Sequence, residues 1–560
     1  MTSWRPGSGP PPGLRLRRRA CIWSASSTDS GVSCDQMRDL LTSTERTVRV
    51  MNPATGESLA ELPCAGAEQV AAAVNEARAA QKRWADVAVP ERLEVLRNFQ
   101  RLLHEQKDEV AALISDEAGK PRVEALLAEV VVTLDAVNFY VREVPRLLRS
   151  QRVPHANPVM KTKRGWLVRE PYGVVGIISP WNYPFSIPAS EVMGALAAGN
   201  AVVLKPSELT PLSALKLKEL LEAARLPKGL LQVVIGDGLT GATLVAAPID
   251  KLIFTGSVAT GKKIAAAAAE KMLPVVLELG GKDPMIVLQD ADVEVASSAA
   301  VWGAFMNAGQ TCLSVERCYV HKDIFAAFVD RCVHKTERLR VGKGSEETTD
   351  VGPVISQQQL RTVEAHVADA KAQGARVLIG GHRLPDIGPN FYAPTVLVDV
   401  HHGMRVMREE TFGPLLPIMP FASDDAAVTL ANDSQFGLSA SVWTRDRKRG
   451  EALAGRIEAG TVMVNDVITC FGIGEAPHGG VKASGIGRTH GRIGLEELVR
   501  TKYIDSDLLP GMPKVWWYGY GAEFRAQMRG FTDALFARPL GTRARGLMHA
   551  LKAFVRSGRV

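Results

Sequence analysis

Cys312 lies in the stretch FMNAGQTCLSVERC, from Phe305 to Cys318. A free cysteine is ordinarily a small buried hydrophobe, and it becomes a nucleophile only as a thiolate with suitable partners. Three other motifs could supply them. Asn182 in SPWNYPF closes the apolar run VVGIIS ahead of Pro184, where a side-chain amide could donate to a developing oxyanion or simply form a turn. Glu278 in LELGGKDP closes another apolar run beside Gly280 and Gly281. A carboxylate buried there has a raised pKa suited to a general base; the alternative is a salt-bridged structural glutamate. Lys205 and Glu208 in NAVVLKPSEL offer a cation and an acid at a strand end, fit for a ribose or for an ordinary helix start.

The elements that must carry these residues follow from hydrophobic period. Between about 50 and 150, segments such as AEQVAAAVNEARAAQKRWADV repeat apolar residues at three and four, the pattern of amphipathic helices. From 174 to 279 the runs VVGIIS, AVVLK, LQVVI, KLIF and VVLELGG alternate with four helical stretches. Five short strands apolar on both faces predict a doubly wound parallel sheet, with ligands beyond the carboxyl ends of its strands. A second α/β domain is expected from 282 onward, carrying Cys312. Two glycine-rich turns compete for a nucleotide phosphate. GDGLTG, with Gly236, Gly238 and Gly241, satisfies G-x-G-x-x-G between strand and helix and is preferred on sequence alone; FTGSVATG, with Gly256 and Gly261, also opens a helix.

Bulk composition narrows the classes. A chain of 560 residues predicts two or three domains. Seven cysteines, at 21, 34, 64, 312, 318, 332 and 470, form no CxxC pair and no metal-ligand cluster, so neither a disulfide framework nor a structural metal is expected, and a cytoplasmic location is. The net charge of +7 is carried by the ends: residues 510–560 hold nine Lys or Arg against two acids. The body gives no reason to expect nucleic acid. No run approaches the length of a membrane span.

Taken together, SPWNYPF, AGNAVVLKPSEL, FTGSVATG, LELGGKDP, NAGQTC, EETFGPLLPI and PHGGVKASGIGR resemble the aldehyde dehydrogenase superfamily in order and spacing, over about residues 45–505. The wording is nearest the branch acting on fatty and aromatic aldehydes. The resemblance implies that Cys312 attacks the aldehyde carbon, that the Asn182 amide and the Cys312 N–H hold the oxyanion, and that Glu278 activates the water that hydrolyses the thioester. It also implies NAD, with NADP as a second cofactor, and no metal. Lys205, Ser207 and Glu208 would meet the adenosine ribose, and the Glu208 charge would oppose a 2′-phosphate. The pyrophosphate would lie at Gly256 and Ser257, reversing the preference for GDGLTG, while Gly280, Glu410 and Phe412 complete the cofactor contacts. Tyr183, Phe185, Thr311, Leu313 and His478 are expected to line the aldehyde pocket. Two positions depart from family habit: Thr489 stands where some members carry a second acid, which puts a proton relay from that side in doubt, and His478 stands where many carry an aromatic ring.

The expected organisation is an N-terminal extension over 1–44, a cofactor domain of 45–148 and 170–281, a catalytic domain of 282–495, a bridging and oligomerisation element of 149–169 and 496–509, and a basic aromatic tail over 510–560. That tail is expected either to contact a membrane surface or to pack on the protein's own oligomer. A homodimer or homotetramer is expected by resemblance, through a strand such as RGWLVREP. The expected reaction is oxidation of a medium or long aliphatic or aromatic aldehyde to the free acid. The alternatives are a succinate-semialdehyde-type dehydrogenase, a CoA-acylating relative, which typically lacks the deacylating glutamate, and a non-enzymatic scaffold.

Overall fold

A computed structural model describes residues 46–511, 514 and 517–556; the extension expected over 1–44, with Cys21 and Cys34, lies outside the described residues. The chain divides into two compact units, one of residues up to 148 with 170–500, the other of 149–169 with 501 onward.

The first unit opens with an antiparallel pair, β1 (Thr47–Met51) and β2 (Ser58–Pro63), where sequence periodicity suggested helix. Alternating burial along TVRVM, Val48 and Val50 inward, is a strand period of two. Helices α1 (Ala67–Ala85), α2 (Val89–Glu105), α3 (Lys107–Ala118) and α4 (Val132–Leu148) follow. They cover a six-stranded sheet of order β17-β9-β8-β5-β6-β7, built from β5 (Val174–Ile178), β6 (Ala201–Lys205), β7 (Leu231–Val233), β8 (Lys251–Thr255), β9 (Val275–Glu278) and β17 (Gly485–Ile486). β5 to β9 are parallel. β5 and β6 are buried at every residue, which requires helices on both faces.

From β5 the chain moves outward through β6 to β7, then returns to place β8 and β9 on the other side of β5. The strand order therefore reverses between β5 and β8, and a crevice opens at their carboxyl ends. Antiparallel β17 comes from the closing glycine-rich motif and pairs Gly485 with Glu278 and Ile486 with Leu277, so Gly485 and Ile486 join the first sheet although they fall in the stretch expected to be catalytic.

A seven-stranded sheet of order β12-β13-β14-β11-β10-β15-β16 completes the unit. Its strands are β10 (Asp283–Val287), β11 (Val315–His321), β12 (Arg376–Ile379), β13 (Thr395–Val398), β14 (Leu415–Phe421), β15 (Ser439–Trp443) and β16 (Thr461–Val464). All neighbours are parallel except β12 with β13. The two sheets have separate hydrophobic cores, as expected for an α/β chain of this size.

In the second unit β3 (Gln151–Val153), β4 (Lys163–Pro171) and β18 (Val499–Asp507) form a sheet of order β18-β4-β3. Two helices, Ala522–Phe536 and Leu540–Arg556, then pack into a hairpin whose backbones approach closely at Gly530 and Gly546. Among the described residues, no helix is long and apolar enough to cross a membrane.

Candidate active site

Cys312 follows the helix Val293–Phe305 and stands three residues before β11. Between helix and thiol the backbone takes a left-handed path through Asn307 (φ 52°), Ala308 (φ 55°) and Gly309 (φ 73°). Such a run is costly for residues with a Cβ and persists only where surroundings enforce it. Here the Asn307 N–H donates to buried Glu124 at 2.9 Å, and the Asn307 amide donates to the carbonyls of Asn182 and Gln310, both at 3.1 Å.

The Asn182 side-chain amide donates one hydrogen to the Gln310 carbonyl at 3.0 Å. Its second hydrogen is left for a ligand beside Cys312, with which Asn182 lines the same cleft. Gly281 presses against the Cys312 carbonyl, and Gly280 against the Glu410 carboxylate, so a Cβ at either position would collide. Those contacts are the physical requirement behind the paired glycines after Glu278.

Glu278, at the end of β9, is 4% exposed, and among the described residues neither carboxylate oxygen has a close hydrogen-bond partner, the nearby Thr489 N–H being given to the His478 carbonyl at 2.8 Å. Burial, reinforced by the Glu191 carboxylate, pushes its pKa well up, against weaker pulls from Arg488 and the Thr489 amide. His478 Nε2 lies 3.9 Å from Glu278 Oε2. His478 is itself buried and held neutral, its pKa lowered to about 3 by desolvation. Cys312 is half-buried, and desolvation together with Asp283, Glu410 and Glu278 raises its thiol well above the usual range. A cation seated against it would counter that push.

A cleft of about 250 Å³ runs past Trp181, Asn182, Gly256, Ser257, Glu278, Gly280, Cys312, Glu410 and Phe412. Glu410 accepts from the Gly281 N–H at 3.0 Å and has its pKa raised to about 8, chiefly by burial. Phe412 adopts φ 53° and meets Trp181 edge to face at 5.3 Å. At the far end of β6, Lys205 is buried with its Nζ 3.3 Å from Glu208, and Ser207 Oγ accepts from the Leu209 N–H. Gly256 and Ser257 sit at the β5/β8 crevice, where Ser257 caps the helix Val258–Ala269. At the rival turn Asp237 accepts from the Leu239 and Thr240 amides and pairs with Arg46 at 2.7 Å, so a carboxylate already occupies that helix start. The cleft's glycine walls and helix amides, with the Lys205–Glu208 pair at the end of neighbouring β6, fit a dinucleotide.

Behind Cys312 a small cavity of about 20 Å³ is bounded by Ile187, Glu191, Phe471, His478 and His490, and shares Glu278 and Cys312 with the cleft. A neighbouring hollow adds Val132, Phe139 and Tyr140 from α4. Of the residues expected to line the aldehyde pocket, His478 borders this cavity. Tyr183, Phe185, Thr311 and Leu313 are buried in the wall behind: Tyr183 OH bonds Thr311 Oγ1 at 2.8 Å, and Phe185 and Leu313 belong to the two cores. Chain neighbours of a functional residue point away from it as often as toward it.

Three positioning groups escaped the sequence reading. Buried Lys120 pairs with Glu129 at 2.6 Å and donates to the Asn182 carbonyl, while Glu129 accepts from the Phe185 and Ser186 amides. Glu316, paired with Lys282, accepts from the Thr411 and Phe412 amides and fixes the loop bearing Phe412. Glu191 faces Glu278 across the rear cavity. The available signal was charge within otherwise apolar helix and strand stretches.

Residues 40–504 match the model of the aldehyde dehydrogenase family. A 4,4'-diapolycopene aldehyde oxidase from Methylomonas sp is 42% identical over 517 residues, covering 91% of this chain and 95% of that protein. A putative succinate-semialdehyde dehydrogenase, NADP(+), from Mycolicibacterium smegmatis is 43% identical over 443 residues, covering 79% and 85%. Among solved structures, the NAD+ complex of aldehyde dehydrogenase from Bacillus cereus superposes with TM-score 0.79 at 37% identity, covering 83% of this chain and 94% of that one. On the sequence match, the shared fold and the NAD(P) neighbours, the chain is an aldehyde-oxidising enzyme with a nicotinamide dinucleotide cofactor, and it belongs to the aldehyde dehydrogenase family.

Proposed function

We propose that the protein oxidises a medium or long aliphatic or aromatic aldehyde to the free carboxylic acid, with NAD preferred. The observation that carries the substrate class is the absence of any Lys or Arg among the residues bounding the hollow beside the cavity behind Cys312. Its walls are chiefly Val132, Ala136, Phe139, Tyr140 and Phe471. A second carboxylate on the substrate would find no cation there. Of the activities named among the relatives, one named for a diapolycopene aldehyde suits that lining better than one named for succinate semialdehyde.

In this reading the Cys312 thiolate attacks the carbonyl carbon, and the Asn182 amide hydrogen with the Cys312 N–H stabilises the oxyanion. The bound dinucleotide supplies the hydride acceptor and a positive charge near the thiol. Cys312 then carries a thioester, and Glu278 takes a proton from the water that cleaves it. The unpaired, buried carboxylate of Glu278 supports hydrolysis over acyl transfer to CoA. Glu208 beside Lys205 supports NAD, because a 2′-phosphate would meet its charge.

The proposal includes the domain boundaries expected above, a cytoplasmic homo-oligomer assembled through the β18-β4-β3 element, and contact of the basic C-terminal hairpin with an anionic membrane surface. The central test is a panel of aliphatic, aromatic and carboxylated aldehydes with NAD and with NADP, followed by absorbance of the reduced nicotinamide. The reading expects kcat/KM to be highest for apolar aldehydes with NAD; a preference for succinate semialdehyde would overturn the substrate class.

A further inference from the structure

Each thioester hydrolysis leaves a proton on Glu278, and a buried base must lose it before the next turnover. On one side Glu278 faces the cleft assigned to the dinucleotide. On the other it faces the rear cavity of about 20 Å³, room for a single water. Across that cavity stands Glu191, on the helix Ser186–Ala197, 6% exposed. Its Oε1 accepts from Thr255 Oγ1 at 3.4 Å, whereas among the described residues Oε2 has no hydrogen-bond partner and no Lys or Arg pairs with it. An uncompensated buried carboxyl of this kind costs stability and calls for a use.

A second small cavity continues from Glu191 past Tyr140, Arg488, Thr489 and His490 to Glu497. Glu497 is one-third exposed and paired with Lys251 at 2.5 Å, so this cavity ends near solvent. The other titratable groups facing Glu191 are poorly placed to compete. His478 and His490 are held neutral by burial, with pKa values lowered to about 3 and about 4. His490 Nε2 is engaged with Ser190 Oγ, itself bonded to Tyr140 OH, whose pKa is raised to about 12. Arg488 donates to the Gly480 and Gly487 carbonyls. Cys312 is the nucleophile. Burial raises Glu191 to about 8, close enough to neutrality to gain and lose a proton.

We propose that Glu191 accepts the deacylation proton from Glu278 through one water in the rear cavity and releases it toward Glu497, replacing the acid that Thr489 does not supply. The step balances. An O–H bond of the attacking water breaks as its oxygen bonds the thioester carbon, and the proton goes to a Glu278 oxygen. The C–S bond then breaks, returning the electron pair to Cys312 and freeing the acid. The proton passes from Glu278 to the cavity water as that water gives one to Glu191 Oε2, which restores the Glu278 carboxylate. Glu191 touches neither aldehyde nor cofactor, so it is a positioning residue for the proton and not a catalytic residue.

The inference rests on the hydrolytic reading above, and burst kinetics of the full-length enzyme with NAD and an apolar aldehyde separate the two. Glu191→Gln keeps shape and size while losing the proton acceptor. It should retain the wild-type burst of reduced nicotinamide, while steady-state turnover falls at least about tenfold and the pH profile of turnover, not of the burst, shifts. Glu191→Asp should recover most of the turnover lost in Glu191→Gln. Wild-type turnover in Glu191→Gln, or an equal loss in both variants, overturns the proposal. A measurement without variants guards against misfolding: the wild-type steady-state rate in mixed light and heavy water should curve as two protons in flight require, and a linear dependence also overturns it. Reduced nicotinamide formed by the wild type only with CoA present, with acyl-CoA as product in place of the free acid, would instead refute the hydrolytic reading, and this inference with it.

Discussion

Cys312 and Glu278 should fail differently when altered, because they act in successive steps. Cys312→Ala should abolish formation of reduced nicotinamide. Glu278→Gln should give one burst per active site and then stall, with the acyl group on Cys312 detectable by mass spectrometry; free acid released at the wild-type rate would refute the assignment. The pH dependence follows from the same burial. Glu278 must be ionised to accept a proton, and its pKa is raised, so turnover should be lost as pH falls through that raised value while neutral His478 contributes no titration there. Glu278 was legible in the sequence because it ends an apolar run beside glycines, and Cys312 only through the set of motifs that accompanies it. Lys120, Glu129 and Glu191 were not, since their roles exist only across separations such as the 62 residues between Lys120 and Asn182.

At the level of elements, the parallel strands were readable as five apolar runs, and so was the crevice rule that follows from them. Which of two glycine-rich turns faces that crevice was not, because both satisfy the local pattern and only strand order distinguishes them. Asp237 and Ser257 cap the two helices, each accepting from backbone amides. Asp237→Ala and Ser257→Ala should therefore each lower stability by about 1 kcal/mol, measured by denaturant unfolding. Only Ser257→Ala, at the β5/β8 crevice, should also raise KM for NAD; an equal rise in Asp237→Ala would move the pyrophosphate to the other turn. The β1/β2 pair was missed because five and six residues give too few periods to compete with the helical stretches around them.

On the scale of the whole molecule, the C-terminal hairpin is the segment with least to do in catalysis, since the family match stops at residue 504. Its helices pack on each other at Gly530 and Gly546. Tyr518, Phe536, Leu540 and Met548 remain at least 60% exposed, and the stretch from 510 carries nine basic residues against two acids. Apolar side chains left in water beside excess positive charge favour a surface that is anionic outside and apolar beneath. Removing 511–560 should then leave the oxidation of a water-soluble aldehyde within twofold of the full chain, and light scattering should report the same oligomer. The difference should appear with vesicles containing anionic lipid: the full chain pellets with them at low salt and is released as ionic strength rises, whereas the shortened chain stays in the supernatant. Equal distribution of the two forms would exclude membrane contact. A change of oligomeric state on removal would assign the hairpin to subunit packing instead, because the exposed side chains would then be those that a neighbouring copy covers.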